Sequence, residues 1–210
     1  MHIAEGALSS TPEGLVVLGL GWLASGLGTA VGLRRMDYER VPQVALLSAS
    51  FFVVSLIPIP LGITSIHLVL SGLMGLILGW AAFPAILVAL ILQSLIAGIG
   101  GPTTLGINTL VMAAPALACH YAFRRAVHGP GETVTWLAAF AAGGSAVLLG
   151  AVLNAAAVAT AGEEFHLVAM AALAGHLPVI PIEGAVTAVT VGFVRKVRPE
   201  LLETPLLSTS

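Results

Sequence analysis

The chain has one cysteine, Cys119, one lysine, Lys196, and only 9% charged residues among its 210. A lone cysteine excludes an intrachain disulfide and any cysteine-rich zinc or iron–sulfur site. It lies in an apolar run, the setting of an inert buried thiol. The lysine sits in Val-Arg-Lys-Val-Arg, so no G-x-x-x-x-G-K-[ST] loop exists to cradle nucleotide phosphates. A G-x-S-x-G elbow and a His-Glu-x-x-His zinc motif are also missing. With so few polar groups, an intramembrane enzyme is the least favoured reading. Apart from Glu183, no acidic side chain falls clearly within an apolar stretch, which leaves a carboxylate-relay pump without its relay.

What fills the chain is apolar: 58% of residues are hydrophobic and the mean hydropathy is +1.03. Soluble chains carry roughly 25% charged residues. A soluble domain of this size could not hide so much apolar surface, so lipid is the solvent. Charge and Gly/Pro punctuation cut the chain into predicted helices over about 14–33, 42–60, 67–80, 84–99, 104–123 and 133–160. The stretch 165–197 exceeds one span of about 20 residues. It reads as a short segment to Gly175 and a final helix from about Pro178, giving about seven transmembrane helices in an all-α membrane protein.

The eight basic residues test that count. With seven spans and the amino terminus outside, Arg34, Arg35, Arg40, Arg124, Arg125, Arg195, Lys196 and Arg198 all fall on the cytoplasmic side. Glu5, Glu13, Glu163 and Glu164 then lie outside with no basic residue among them. The carboxyl terminus is cytoplasmic. One transmembrane domain is expected over 1–210, made of an amino-terminal segment 1–13, a bundle 14–198 and a tail 199–210. The start, MHIAEGALSSTPEG, lacks the basic region of a signal peptide, so the terminus is expected to be retained. Ala24, Gly28 and Gly32, beside Gly21 and Ser25, form a small-residue stripe. It would pack against this chain's own helices or against a partner protein.

Six histidines and a few amides remain to carry chemistry. His2 stands next to the α-amine. The Met1 amine, the intervening amide nitrogen and an imidazole nitrogen of His2 can close two fused chelate rings around a metal. Such a planar nitrogen set suits Ni(II) or Cu(II), and imidazole-rich sites also accept Co(II). Ile3, Gly6 and Leu8 make this segment compact and weakly charged, suited to insertion between helices. A fourth donor is expected from His67, at the outer end of the third helix, with His166 and His176 as substitutes. His120 and His128 lie toward the cytoplasm and read as structural or solvated. Glu183 lies within the bilayer, where an unpaired carboxylate is costly. Its expected roles are a hydrogen bond to Asn108, Gln93, Asn154 or a threonine, anchoring of the amino-terminal segment, or orientation of a ligand histidine. Asn108 and Thr104, at a similar level, could serve likewise, and Glu5 is a further supporting candidate.

The opening Met1-His2-Ile3-Ala4-Glu5-Gly6 resembles the amino terminus of the CbiM/NikM family, the substrate-binding membrane subunits of energy-coupling factor transporters for cobalt and nickel. The resemblance continues through Gly62-Ile63-Thr64-Ser65-Ile66-His67-Leu68, Gly72-Leu73-Met74-Gly75-Leu76 and Thr103-Thr104-Leu105-Gly106-Ile107-Asn108-Thr109. It closes with Ile180-Pro181-Ile182-Glu183-Gly184, Thr187 and the basic Arg195-Lys196-Val197-Arg198. It implies seven helices with the amino-terminal segment tucked into the core from outside, and metal held by the Met1 amine, the His2 amide and imidazole nitrogens, and His67. Two departures are Ala4, where proline is common, and the proline-rich stretch 177–181; neither removes a donor.

On this reading the chain is the capture subunit of an ATP-dependent importer in a bacterial or archaeal cell membrane. Ni(II) or Co(II) is its transported substrate, much of the family serving cobalt supply for corrin synthesis. No organic cofactor and no nucleic acid are expected. The implied partners are a transmembrane scaffold subunit, ATP-binding cassette subunits and a small accessory membrane subunit. The alternatives are a stand-alone metal permease or channel driven by the ion gradient, and a membrane assembly module without a transport role.

Overall fold

The first long helix starts where the chain supplies its own cap. Thr11 Oγ1 accepts the Gly14 N–H at 3.1 Å, and Pro12 takes the first helical position, where no N–H donor is needed. From there α1 runs Pro12–Arg34 and ends on a basic residue that complements the helix C-terminus. The computed structural model describes residues 2–57, 59–61 and 64–202. A 3-10 turn, Tyr38–Arg40, leads into α2, Val41–Leu56. Then come a short antiparallel ladder (β1, Ile59–Leu61; β2, Thr64–Ile66), α3 (Ser71–Leu78) and α4 (Ala82–Leu92), which is extended as a π-helix over Gln93–Ala97. Four more follow: α5 (Leu105–Val127), α6 (Glu132–Ala159), α7 (His166–His176) and α8 (Val179–Val197).

Among the described residues, five helical runs are long and apolar enough to cross a membrane, and the pair α7–α8, bent by 41°, makes a sixth candidate. One of the five, Ser71–Ala97, is not a single straight span. Just before α3, Val69 and Leu70 sit against Glu183. Ten residues on, the Trp80 indole N–H donates to the Tyr121 hydroxyl at 2.8 Å, near the cytoplasmic end of α5. After a further thirteen residues, Gln93 is back beside the amino-terminal segment. The chain therefore descends through α3, turns at Gly79–Ala81 and rises through α4. Gly79 makes the turn possible: its φ of +54° is costly for any residue with a Cβ. Counting α3 and α4 separately gives the seven passes expected from the sequence. Three boundaries differ most from expectation, the first being the end of the fifth helix, at Val127 rather than near 123. The second helix ends at Leu56 rather than near 60, giving way to the short ladder, and the third begins at Ser71 rather than His67.

The centre of the bundle is α3, α4 and α5, which are mostly buried, whereas α1 and α2 turn most of their surface to lipid. Close approach is what the small residues provide. Gly21 lies against the Ile107 backbone, and the Ser25 hydroxyl donates to the Gly106 carbonyl at 2.6 Å. Gly28 faces the Phe83 ring and Gly32 faces Trp80 and Pro84. The α1 stripe thus packs on this chain's own α4 and α5. At the opposite end from Glu5, Arg195 donates to the carbonyls of Val127 and Gly129 and to Thr135, tying α8 to the α5–α6 connection. The basic residues cluster at that end, which the positive-inside rule places in the cytoplasm.

Candidate functional site

The amino-terminal segment does not lie on the surface. Ile3 is 2% exposed and Leu8 is fully buried, so the segment is held by apolar insertion from the outer side. Asn108, one turn into α5, matches the Ile3 backbone as a strand would. Its Oδ1 accepts the Ile3 N–H at 2.8 Å, and its Nδ2 donates to the Ile3 carbonyl at 3.1 Å and to Thr104 Oγ1 at 3.3 Å. Thr104 Oγ1 in turn reaches the Gly101 carbonyl at 3.3 Å. Glu5 accepts from the Thr103 N–H at 3.2 Å and from its hydroxyl at 2.6 Å. A Cβ on Gly101 would fall 1.9 Å from a Glu5 carboxylate oxygen, so this bond needs glycine there. Glu5, Thr104 and Asn108 are therefore all brought to the segment.

His2 is positioned by the same insertion. Its Nε2 lies 2.9 Å from Gln93 Oε1, and the Gln93 amide nitrogen donates to Ser55 Oγ at the end of α2. Burial holds the His2 imidazole far below the ordinary histidine range, at about 3; the charge at the amino terminus and His67 act in the same direction and the Gln93 bond opposes them. The ring is neutral at physiological pH, the form in which imidazole binds metal. The sequence offers Gln93 only as a possible partner of Glu183, yet the signal of a further role is visible: it is a neutral amide within the apolar run Ile91-Leu92-Gln93-Ser94-Leu95, where a polar side chain is costly without a partner.

His67 lies near His2. It is half-buried and close enough to act electrostatically on His2, and its Nδ1 is buried with no hydrogen-bond partner. An orphaned buried nitrogen is unusual, because burying a polar atom unpaired costs roughly 1–3 kcal/mol. Glu183 lies just beyond. Its fully buried carboxylate accepts the Val69 N–H and, at 3.0 Å, the Leu70 N–H. These are not the partners expected for it among Asn108, Gln93, Asn154 or threonine hydroxyls, and among the described residues it makes no bond to the amino-terminal segment. The reason is local: the first N–H groups of a helix lack partners inside it, and a carboxylate is favoured at that end. Leu70 there adopts φ +53°, the only positive φ at a non-glycine residue among the described residues.

The other histidines are placed elsewhere. His120 Nδ1 pairs with the Gly75 carbonyl at 2.9 Å. His128 spans the Arg124 carbonyl at 2.5 Å and the Leu202 carbonyl at 2.7 Å, at the cytoplasmic end. His166 is exposed, and His176 Nδ1 bonds the Ala172 carbonyl at 2.6 Å. Among the described residues, no three His, Cys, Asp or Glu side chains converge as a metal cluster. Met1, expected to supply its amine, lies outside the described residues, as do Gly62 and Ile63 of the stretch leading to His67.

Comparison with known proteins matches residues 2–201 to the family described as CbiM, cobalt uptake substrate-specific transmembrane region. A Haemophilus influenzae protein named for metal transport is 37% identical over 213 residues, covering 96% of this chain and 97% of that one. The cobalt transport protein CbiM of Sorangium cellulosum is 31% identical, covering 97% and 95% respectively. The fused nickel transport protein NikMN of Rhodobacter capsulatus is 37% identical over 119 residues, a match spanning 54% of this chain and 33% of that one. The crystal structure of a truncated transition metal transporter shares the fold, with a TM-score of 0.69 at 24% identity over 95% of this chain and 99% of that one.

Proposed function

Because this chain belongs to the CbiM family, we propose that it captures Ni(II) or Co(II) from outside the cell membrane for import, with the Met1 amine, His2 and His67 as ligands. The observation that carries the reading is the buried, unpartnered Nδ1 of His67 beside a neutral, deeply inserted His2. Two imidazoles alone hold a divalent ion weakly. With no third ionisable side chain converging among the described residues, the remaining donors are main-chain nitrogens of the terminus. Ion selectivity then follows from geometry, since donor type alone would favour copper. Glu183, holding the backbone two and three residues after His67, sets that histidine's height, and Asn108, Thr104 and Glu5 set the register of the terminus.

The chain works with partners. It has no nucleotide-binding loop, so the energy for import comes from ATP-binding cassette subunits acting through a transmembrane scaffold subunit. Relatives in which the corresponding region is fused within a longer nickel transport chain support an added membrane partner.

The test is metal per protein, measured in detergent at neutral pH with an untagged terminus. One residue added before Met1 turns the amine into an amide with a poor lone pair, and retention of Ni(II) and Co(II) is lost. His2→Ala and His67→Ala do the same, whereas His120→Ala and His128→Ala do not. Equal metal in the native and extended proteins sinks the amine ligand and moves attention to His166 and His176.

A further inference from the structure

A neutral imidazole carries one proton, and which nitrogen holds it decides which can bind metal. In this structure that choice is dictated from another helix. The Phe52 carbonyl can only accept a hydrogen bond, and Ser55 Oγ lies 2.8 Å from it, so the hydroxyl proton points there. Ser55 is left able only to accept from Gln93, which must therefore present its NH2 group. That orientation, ambiguous for an isolated amide, turns Gln93 Oε1 toward His2 Nε2 at 2.9 Å. An amide oxygen cannot donate, so Nε2 must. Gln93 and Ser55 are both buried, so water does not compete for these positions.

We infer that Gln93, oriented by Ser55 and the Phe52 carbonyl, fixes His2 as the Nε2–H tautomer and reserves its Nδ1 for the metal. The first half stands on the hydrogen bonds alone; the second rests on the proposed capture of metal by the terminus. The two fit. A metal on the His2 amide nitrogen closes a six-membered ring through Cα, Cβ and Cγ to Nδ1, whereas Nε2 points away from it. The opposite tautomer would put a proton where the metal must sit. Gln93 is thus a positioning residue that never touches the ion, and its acceptance of the Nε2 proton also raises the basicity of Nδ1.

The tautomer can be read without metal. The full chain with its native terminus, labelled with 15N-histidine and metal-free in detergent at neutral pH, is examined by nitrogen NMR, with His2 signals identified by their loss in His2→Ala. Nε2 is expected as the protonated, pyrrole-type nitrogen and Nδ1 as the bare, pyridine-type one; the reverse, or an averaged pair, overturns the inference. Gln93→Met removes the acceptor: the two His2 shifts move toward each other and Ni(II) affinity falls about 10- to 100-fold. Gln93→Glu, which can still accept from Nε2, restores both readouts. Fixed shifts in Gln93→Met would mean that Gln93 is not the determinant. If the native protein shows Nε2–H but binds Ni(II) no better than His2→Ala, the relay stands and the ligand assignment fails. An Nδ1–H signal removes the relay however well metal binds.

Discussion

Asn108→Ala should release the amino-terminal segment without unfolding the bundle. Among the described residues Asn108 alone pairs with both the Ile3 N–H and the Ile3 carbonyl, and Ile3 is 2% exposed. Truncation leaves a donor and an acceptor buried and unpaired at about 1–3 kcal/mol each. Water entering the space left by the side chain recovers part of this, so the net loss is about 2–4 kcal/mol, or roughly 30- to 1,000-fold in the docked-to-released ratio. The burial of Ile3 and Leu8, about 1.5–3 kcal/mol each, still favours docking, so the segment opens more often rather than leaving for good. Hydrogen exchange of residues 2–8 measures this directly in metal-free protein in detergent. Their amides should exchange at least thirtyfold faster in Asn108→Ala, while those of α5 and α6 stay protected. Unchanged exchange in that segment would refute the reasoning, because it would mean that Asn108 contributes nothing to docking. Loss of protection throughout the bundle would refute it differently, by making Asn108 a determinant of the whole fold.

Acid should undock the same segment. His2 is held neutral well below its free pKa, so its contribution is complete above about pH 6.5 and falls as pH drops toward about 3. At pH 5 the loss is roughly 2 kcal/mol, and flat segment protection from pH 7 to 4 would contradict it. Glu183→Gln replaces an oxygen acceptor with an amide group facing two N–H donors, and should lower metal retention at least tenfold in protein that remains helical. Unchanged retention with a lower thermal midpoint would leave Glu183 a purely structural residue. Cysteines at Ser9 and Pro130, both exposed and at opposite ends, should report orientation. An impermeant thiol reagent on whole cells should label the first and not the second, and the reverse result would invert the topology and remove external capture.

The sequence was most legible where physics acts on averages. Composition demands lipid, and eight basic residues at one end set the topology, because both are sums over many residues. His67 could be placed on the outer side by counting spans. What stayed hidden depends on single bonds. The break between helices ending near 80 and starting near 84 was legible, but hydropathy runs do not show which residue reverses the chain, and only its φ identifies Gly79. Gln93 stands in the sequence as one polar exception in an apolar run, since its partners come from Ser55 on α2 and from His2 at the chain terminus. For Glu183, polar side chains are the partners a sequence suggests, whereas the nearest unsatisfied donors are backbone N–H groups at the start of a helix.

The anchors of the terminal segment fix its register. Ile3 is bound through its main chain by Asn108, Glu5 through its carboxylate by Thr103, and Leu8 by burial, with its carbonyl against Gly14. These contacts fall at fixed positions along a segment that turns from Glu5 to Ser10, with the Ala7 N–H donating to the Ala4 carbonyl and the Ser9 N–H to the Gly6 carbonyl. A slip of one residue would therefore bring Ala4 to Asn108 and Gly6 to Thr103, and Glu5 would lose its partner. The segment has one docked register, set downstream of His2. For that reason a residue added before Met1 leaves every anchor in place and changes only the amine. A residue inserted between His2 and Ile3 also keeps the anchors but displaces the imidazole from Gln93 by about 3.3 Å, one strand step. The first insertion removes the amine and leaves the His2–Gln93 bond in place, whereas the second moves the amine, the His2 amide and the imidazole together; metal lost in the first with an unchanged His2 tautomer therefore isolates the contribution of the amine.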